Sequence, residues 1–163
     1  MSNIDWKNVF VYDAEAGKLY WKVKPGRKVC IGNEAGSPKG NGYLQVAYQG
    51  KRCLIHRAIW EMFYGPIPPG LHIDHINGNP SDNRIENLRL ATRSENQWNS
   101  KIPKNNTSGL KGASWCKVKQ KWVAEIWVFG RKKYLGLFLA ASDAHAAYVK
   151  AANIYHGAFA RAQ

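Results

Sequence analysis

Apolar and polar positions alternate along much of this chain in short runs, with turn residues between them. Segments 18–23, 43–48 and 51–55 are rich in aromatic and β-branched residues, and Gly/Pro/Asn/Lys clusters at 24–28 and 36–42 break them apart. That pattern predicts β-hairpins. Over 57–64 the period lengthens, so that Ile59, Trp60 and Phe63 fall on one helical face. The run Gly65-Pro66-Ile67-Pro68-Pro69-Gly70 stops this helix, because proline fixes φ and removes a donor. Leu71, Ile73 and Ile76 predict a strand entering a turn at Asn77-Gly78, where asparagine and glycine tolerate positive φ. Leu88 and Leu90 alternate with Arg89 in a second short strand, and Thr92 or Ser94 then N-caps a helix containing Asn96 and Trp98. The result is a β-β-α unit. In it Asp74 on the first strand and Asn96 on the helix across it would lie close enough to share one hard cation through oxygen ligands. His75 follows Asp74 directly and points the other way on a strand, unless a bulge or loop turns it.

A polar stretch at 101–109 reads as a flexible linker and as the domain boundary. Beyond it, runs at 110–117, 121–129 and 132–138 are separated by turns at Lys119-Gln120 and Gly130-Arg131, which predicts a three-stranded antiparallel meander. Ser142 is expected to cap a helix over 143–156 whose apolar stripe is Ala144, Ala147, Tyr148, Ala151 and Tyr155, ended by Gly157. In the second strand Trp122, Ala124, Ile126 and Val128 suit the core, leaving Val123, Glu125, Trp127 and Phe129 outward. An exposed sheet face carrying aromatics and cations suits the major groove of DNA.

Composition narrows the class. The 163 residues are 45% hydrophobic, with seven Trp and eight Tyr, which excludes global disorder. No apolar run approaches the roughly 18 to 20 residues of a membrane span, and Met1-Ser2-Asn3-Ile4-Asp5 lacks the basic and apolar regions of a signal peptide. The expectation is a soluble, cytoplasmic protein. Cys30, Cys53 and Cys116 are odd in number and far apart, so they read as reduced structural thiols. The formal net charge is +13 and unevenly spread. Residues 1–70 hold ten Lys/Arg and five Asp/Glu (+5), 71–100 three and four (−1), and 101–163 eleven and two (+9). An acid-containing island between basic regions is what a metal site on a polyanion needs; two unrelated basic surface patches would give the same totals.

The text Asp74-His75, Asn87 and Asn96, spaced D-H-x11-N-x8-N and set among Ile76-Asn77-Gly78-Asn79 and Asn83-Arg84-Ile85-Glu86-Asn87-Leu88-Arg89, resembles the HNH endonuclease family and its β-β-α-metal motif. Asn96 stands where many members have the final histidine, which resembles the H-N-N variant of phage homing endonucleases. The resemblance implies a DNA endonuclease in which Asp74 and Asn96 hold Mg²⁺ (or Mn²⁺). His75 then acts as general base, since an imidazole with an unperturbed pKa of about 6.5 accepts water's proton near neutrality. Asn87 braces the motif and fixes the histidine's orientation, and both nicking and double-strand cleavage stay open. Arg93 either contacts phosphate or is a solvated helix-end charge. His56, His72, His145 and His156 share no spacing and read as structural.

The text Lys121-Trp122-Val123-Ala124-Glu125-Ile126, Tyr134-Leu135-Gly136-Leu137-Phe138 and Ala151-Ala152, with His156-Gly157 and Phe159-Ala160, resembles the AP2 DNA-binding domain over about the last fifty-five residues. Plant members of that family use arginines and tryptophans at base-contacting positions where this chain has Lys111, Ser114, Trp127, Lys132 and Tyr134. Lys111, Lys119, Glu125, Trp127, Lys132 and Tyr134 form the expected DNA contacts of this segment. A lysine holds phosphate as a point charge, which favours positioning over stringent base reading. Packing against the N-terminal domain is the competing role for Trp127 and Tyr134.

The expected architecture is thus α+β: an HNH nuclease domain at 1–100 with N-terminal β-hairpins and its motif at about 71–100, a linker at 101–109, and an AP2-like sheet-plus-helix domain at 110–163. The expected activity is metal-dependent hydrolysis of phosphodiesters in double-stranded DNA, by a monomer acting in the host-cell cytoplasm of a phage or mobile element. The competing class is a DNA-binding regulator or architectural protein on an inactive nuclease scaffold. RNA binding is disfavoured, since neither RRM aromatic text nor a KH-type G-x-x-G loop is present.

Overall fold

The computed structural model describes residues 4–103 and 106–161; Lys104 and Asn105 of the expected linker lie outside the described residues. The chain divides into two compact units, Met1–Ala91 and Thr92–Gln163. The division precedes the 101–109 stretch, and the helix before that stretch belongs with the C-terminal unit. Both units mix helix with small antiparallel sheets, an α+β architecture.

In the first unit, Asp5 caps α1 (Trp6–Val9) by accepting from the Lys7 amide. The strands β1 (Phe10–Asp13), β2 (Lys18–Trp21) and β3 (Glu34–Ala35) form one sheet, and β4 (Ser37–Gly40), β5 (Tyr43–Tyr48) and β6 (Lys51–Leu54) a second. The expected strand segments at 18–23, 43–48 and 51–55 are the centres of these hairpins. The helix α2 (Ile55–Tyr64) follows, and then β7 (His72–His75) pairs antiparallel with β8 (Leu88–Ala91), Asp74 opposite Arg89 and His75 opposite Leu88. The buried face of α2 is Ile55, His56, Ala58, Ile59 and Met62 rather than the expected Ile59, Trp60 and Phe63; Phe63 is half exposed. With helix start two residues earlier, the i, i+4 stripe from Ile55 through Ile59 meets the core of Phe10, Leu19, Trp21 and Val46. Each fully buried side chain of this kind contributes on the order of 1.5–3 kcal/mol.

The second unit opens on α3 (Arg93–Trp98). Thr92 is its cap, and a capping box with Glu95 closes both ends of the first turn. The strands β9 (Ala113–Cys116), β10 (Lys121–Val128) and β11 (Arg131–Phe138) form an antiparallel sheet with β10 central, and α4 (Ala141–Tyr155) covers one face. The alternation in β10 holds: Ala124 and Ile126 are fully buried against Ala144, Tyr148, Ala151 and Ala152. Two details differ from expectation. Ala140 precedes α4 and makes no side-chain cap, so Ser142 lies inside the first turn. The β10–β11 turn is Phe129-Gly130, not Gly130-Arg131, because the pairing continues to Val128 opposite Arg131. Among the described residues no helix is long and apolar enough to cross a membrane. All three cysteines are free, and burial pushes the Cys53 thiol up to about 11.

Candidate active site

Asp74 and His75 are both buried, side by side on β7. Asp74 Oδ2 accepts from Arg89 Nε and Nη2, each at 2.8 Å, across the β7–β8 pair. His75 instead faces α2 and β5: its ring centroid lies 5.0 Å from that of His56, with planes at 84°, and 6.0 Å from that of Tyr43.

The imidazole is oriented by Asn83, whose Oδ1 lies 3.2 Å from His75 Nε2. Asn83 is 1% exposed, and its Nδ2 donates to the Ser81 carbonyl at 3.2 Å, which assigns Oδ1 as the acceptor facing the ring. The neutral histidine therefore carries its proton on Nε2 and its lone pair on Nδ1. Burial lowers the His75 pKa from the usual histidine range, against the raising effects of Asn83, Asp74 and Asp82.

The loop between the two strands is held by amides. The Asn77 backbone N donates to Asn87 Oδ1 at 3.0 Å, and Asn87 Nδ2 donates to Asn77 Oδ1 at 3.1 Å and to the Asp82 carbonyl at 2.8 Å. Asn87 thus fixes the loop, and the hydrogen bond to the ring comes from Asn83, which the expectation for Asn87 had merged into one residue. Asp82 receives Arg84 Nε and Nη2 at 2.8 Å each and Asn77 Nδ2 at 2.7 Å, and these partners hold its carboxyl down at about 2.

The N-terminal hairpins brace this loop from outside. Tyr12 Oη accepts from the Ile85 amide at 2.8 Å, and Ser81 Oγ donates to the Gly42 carbonyl at 2.8 Å. Gly17, at φ +66°, approaches so closely that a Cβ there would lie 2.6 Å from Arg84 N and 2.9 Å from Asn83 C. Sequence reading set His56 aside as structural. The buried H-x-x-I-x-x-M face of α2 was the available signal, but only folding brings His56 to His75.

Asn96 lies half-buried on α3 in the second unit, with Arg93 exposed at that helix's start. Of the expected DNA contacts, Glu125, Trp127, Lys132 and Tyr134 share one sheet face, since Glu125 pairs with Tyr134 and Trp127 with Lys132. Trp127 and Tyr134 are 57% and 56% exposed, and Lys132 Nζ reaches Glu125 Oε2 at 2.9 Å. Lys119 is exposed in the β9–β10 turn. Lys111 is not on that face: its ammonium donates to the Trp98 and Ser100 carbonyls, both at 2.7 Å, capping the end of α3, and burial pushes it down to about 8. His156 stacks on Trp98 at 4.2 Å and 7°, with Nε2 2.8 Å from the Trp127 carbonyl oxygen. A cavity of about 610 Å³ in this unit is lined by Trp98, Lys111, Trp127 and His156, and by none of Asp74, His75, Asn87 and Asn96.

Residues 53–98 match the HNH endonuclease family, from β6 through α3. That stretch is thus similar to an HNH endonuclease domain. It is 51% identical over 77 residues to Protein 3.8 of Escherichia phage T7, covering 47% of this chain and 64% of that protein. It is 33% identical over 78 residues to YosQ, an SPbeta prophage-derived protein of Bacillus subtilis (strain 168) named as an HNH homing endonuclease, covering 46% of this chain and 42% of that one. L560 of Acanthamoeba polyphaga mimivirus, named as an uncharacterized HNH endonuclease, is 36% identical over 76 residues, 46% of this chain and 40% of that one. The chain therefore spans less than two thirds of each of these three relatives. No solved structure matches.

A divalent cation is what this family implies. Within the first unit Asp74 offers a hard-ion donor, a buried carboxylate of which Arg89 engages Oδ2. No group of three or more His, Cys, Asp or Glu among the described residues could hold a metal.

Proposed function

We propose that the protein is a divalent-metal-dependent endonuclease that hydrolyses phosphodiester bonds in duplex DNA, leaving 5′-phosphate and 3′-hydroxyl ends. The observation that carries this reading is the His75 ring, buried, held at Nε2 by Asn83 and carried on the same strand as Asp74. His75 Nδ1 takes the proton of the attacking water, and its lowered pKa keeps it unprotonated at neutral pH. Asn83 accepts the Nε2 proton throughout, so the ring does not turn over as charge develops. Asp74 and Asn96 would hold Mg²⁺ or Mn²⁺; when bound, the ion neutralises the phosphate and stabilises the leaving 3′ oxygen. Asn87 supports the loop and takes no part in proton transfer.

The C-terminal unit positions the duplex, as an AP2-like module. Support comes from the exposed face of Glu125, Trp127, Lys132 and Tyr134, with Arg93 and Lys119 as phosphate contacts, in a segment where 101–163 carries +9. Lys111 leaves this set, because its ammonium is spent on α3. The names of the relatives, phage and viral HNH endonucleases among them, agree with the reading.

Supercoiled plasmid incubated with the protein and Mg²⁺ is expected to convert to open-circular or linear form, and to stay supercoiled in EDTA or with His75→Ala. A gel shift with no conversion under any divalent ion would instead support a DNA-binding regulator on an inactive scaffold.

A further inference from the structure

Four non-glycine residues among those described have backbone in the left-handed region: Asn41 (φ 52°), Gln49 (φ 48°), Gln120 (φ 48°) and Phe129 (φ 49°). Three are amides. Asn41-Gly42, Gln49-Gly50 and Phe129-Gly130 share one arrangement, a left-handed residue followed by a left-handed glycine at a hairpin tip. Asparagine suits such a position and a bulky aromatic resists it. Phe129 is also 84% exposed, so no core packing offsets its backbone strain.

The surroundings indicate what does. Arg131, Lys132 and Lys133 follow directly and are exposed. Behind the tip, the β10–β11 pairing runs unbroken from Glu125 opposite Tyr134 to Val128 opposite Arg131. The Trp127 carbonyl is tied to His156 at the end of α4, and Lys133 bonds the Tyr155 hydroxyl. A rigid hairpin thus presents one apolar ring ahead of the exposed Arg131, with Lys132 paired to Glu125 and Lys133 bonded to Tyr155 behind it. That combination fits a duplex, whose phosphates take the cations while an apolar side chain enters between base pairs.

We propose that Phe129 is a wedge that inserts between adjacent base pairs of duplex DNA, unstacking and locally unwinding one step. This rests on the DNA-binding reading above and adds to it a deformation that the sheet face alone does not cause. Insertion makes and breaks no covalent bond, and it needs no metal, so it can be read with cleavage silenced.

The test is closed-circular plasmid relaxed by a metal-independent topoisomerase in EDTA, with saturating His75→Ala protein, followed by protein removal and topoisomer analysis. Binding is measured in parallel by fluorescence anisotropy on a random-sequence duplex. The wild-type tip is expected to shift the topoisomer distribution toward negative linking-number change, and Phe129→Asn to reduce that shift at least threefold at equal occupancy. Because asparagine fits the turn, Phe129→Asn is expected to have a higher Tm, which separates a lost wedge from a damaged fold. Phe129→Leu, which keeps an apolar side chain, is expected to retain most of the shift. Binding with no topoisomer shift, or a shift unchanged in Phe129→Asn, overturns the wedge and leaves the DNA-binding reading standing. Absence of any binding overturns both.

Discussion

His56 on α2 lies edge-on to His75 on β7, ring centroids 5.0 Å apart and planes at 84°, with Tyr43 5.4 Å from His56 completing the aromatic wall. The His75 imidazole therefore has a neutral ring on one side and Asn83 at Nε2 on another. Desolvation and the neighbouring His75, Arg57 and Lys39 push the His56 pKa down to about 3. In the proposed mechanism a positioning role follows: His56 would limit the tilt of the ring that takes the proton of water. His56→Ala is expected to lower kcat about tenfold with DNA affinity unchanged, and His56→Phe to restore most of it. Single-turnover cleavage alongside anisotropy checks this, and equal loss of binding would refute it.

The same histidine gives a pH dependence. Its folded pKa is depressed below the unfolded 6.5, so on acidification the unfolded chain takes up the proton first. Stability is then fully present above pH 6.5 and falls as the pH drops from 6.5 toward about 3. At ~1.36 kcal/mol per pH unit the loss reaches on the order of 4–5 kcal/mol. Urea unfolding between pH 4 and 7.5 is expected to show a clearly flatter profile for His56→Phe than for the wild type.

Asn83→Ala leaves a buried N–H of His75 without its acceptor. An unsatisfied buried group costs about 1–3 kcal/mol, and the freed ring can adopt the other tautomer. Cleavage is expected to fall at least a hundredfold with DNA affinity within about twofold of wild type. Asn83→Asp restores the acceptor and should recover part of the loss; no recovery would mean that the amide acts only on the Ser81 carbonyl.

Gly17 is far from the site in sequence and touches its loop. A Cβ there would meet backbone of Arg84 at 2.6 Å, on a residue whose φ of +66° already disfavours a side chain. Gly17→Ala is expected to destabilise by more than about 1 kcal/mol and to lower kcat by displacing Asn83. Chemical denaturation and kinetics on one preparation test both; a stable variant of full activity would show that the hairpin does not support the loop.

Two lysines that read alike in sequence should behave differently. Lys119→Ala, at an exposed turn, is expected to reduce the slope of log K against log salt by about 1 with no change in Tm. Lys111→Ala removes the ammonium that caps α3 and is expected to lower stability by about 1–3 kcal/mol. If Lys111→Ala instead lowered the salt slope alone, its place would be on DNA.

What the sequence determined by itself was periodic or local. Alternation located β10 and its buried Ala124 and Ile126, and Thr92 or Ser94 marked the start of α3, because strand faces and caps depend on residues only a few positions apart. The alternation of Leu71 and Ile73, and of Leu88 and Leu90, likewise located β7 and β8. The tertiary structure decided everything that joins distant segments. It moved the compact division to 91/92, put His56 against His75, split the tasks of Asn83 and Asn87, set Gly17 on the loop, and turned Lys111 inward. None of these has a local signature, since a histidine, a glycine or a lysine has the same propensities whether its partner is solvent or a chain segment sixty residues away. Phe129 lies between the two cases. Its text extends a strand pattern, and only the pairing of Val128 with Arg131 makes it the tip of a turn.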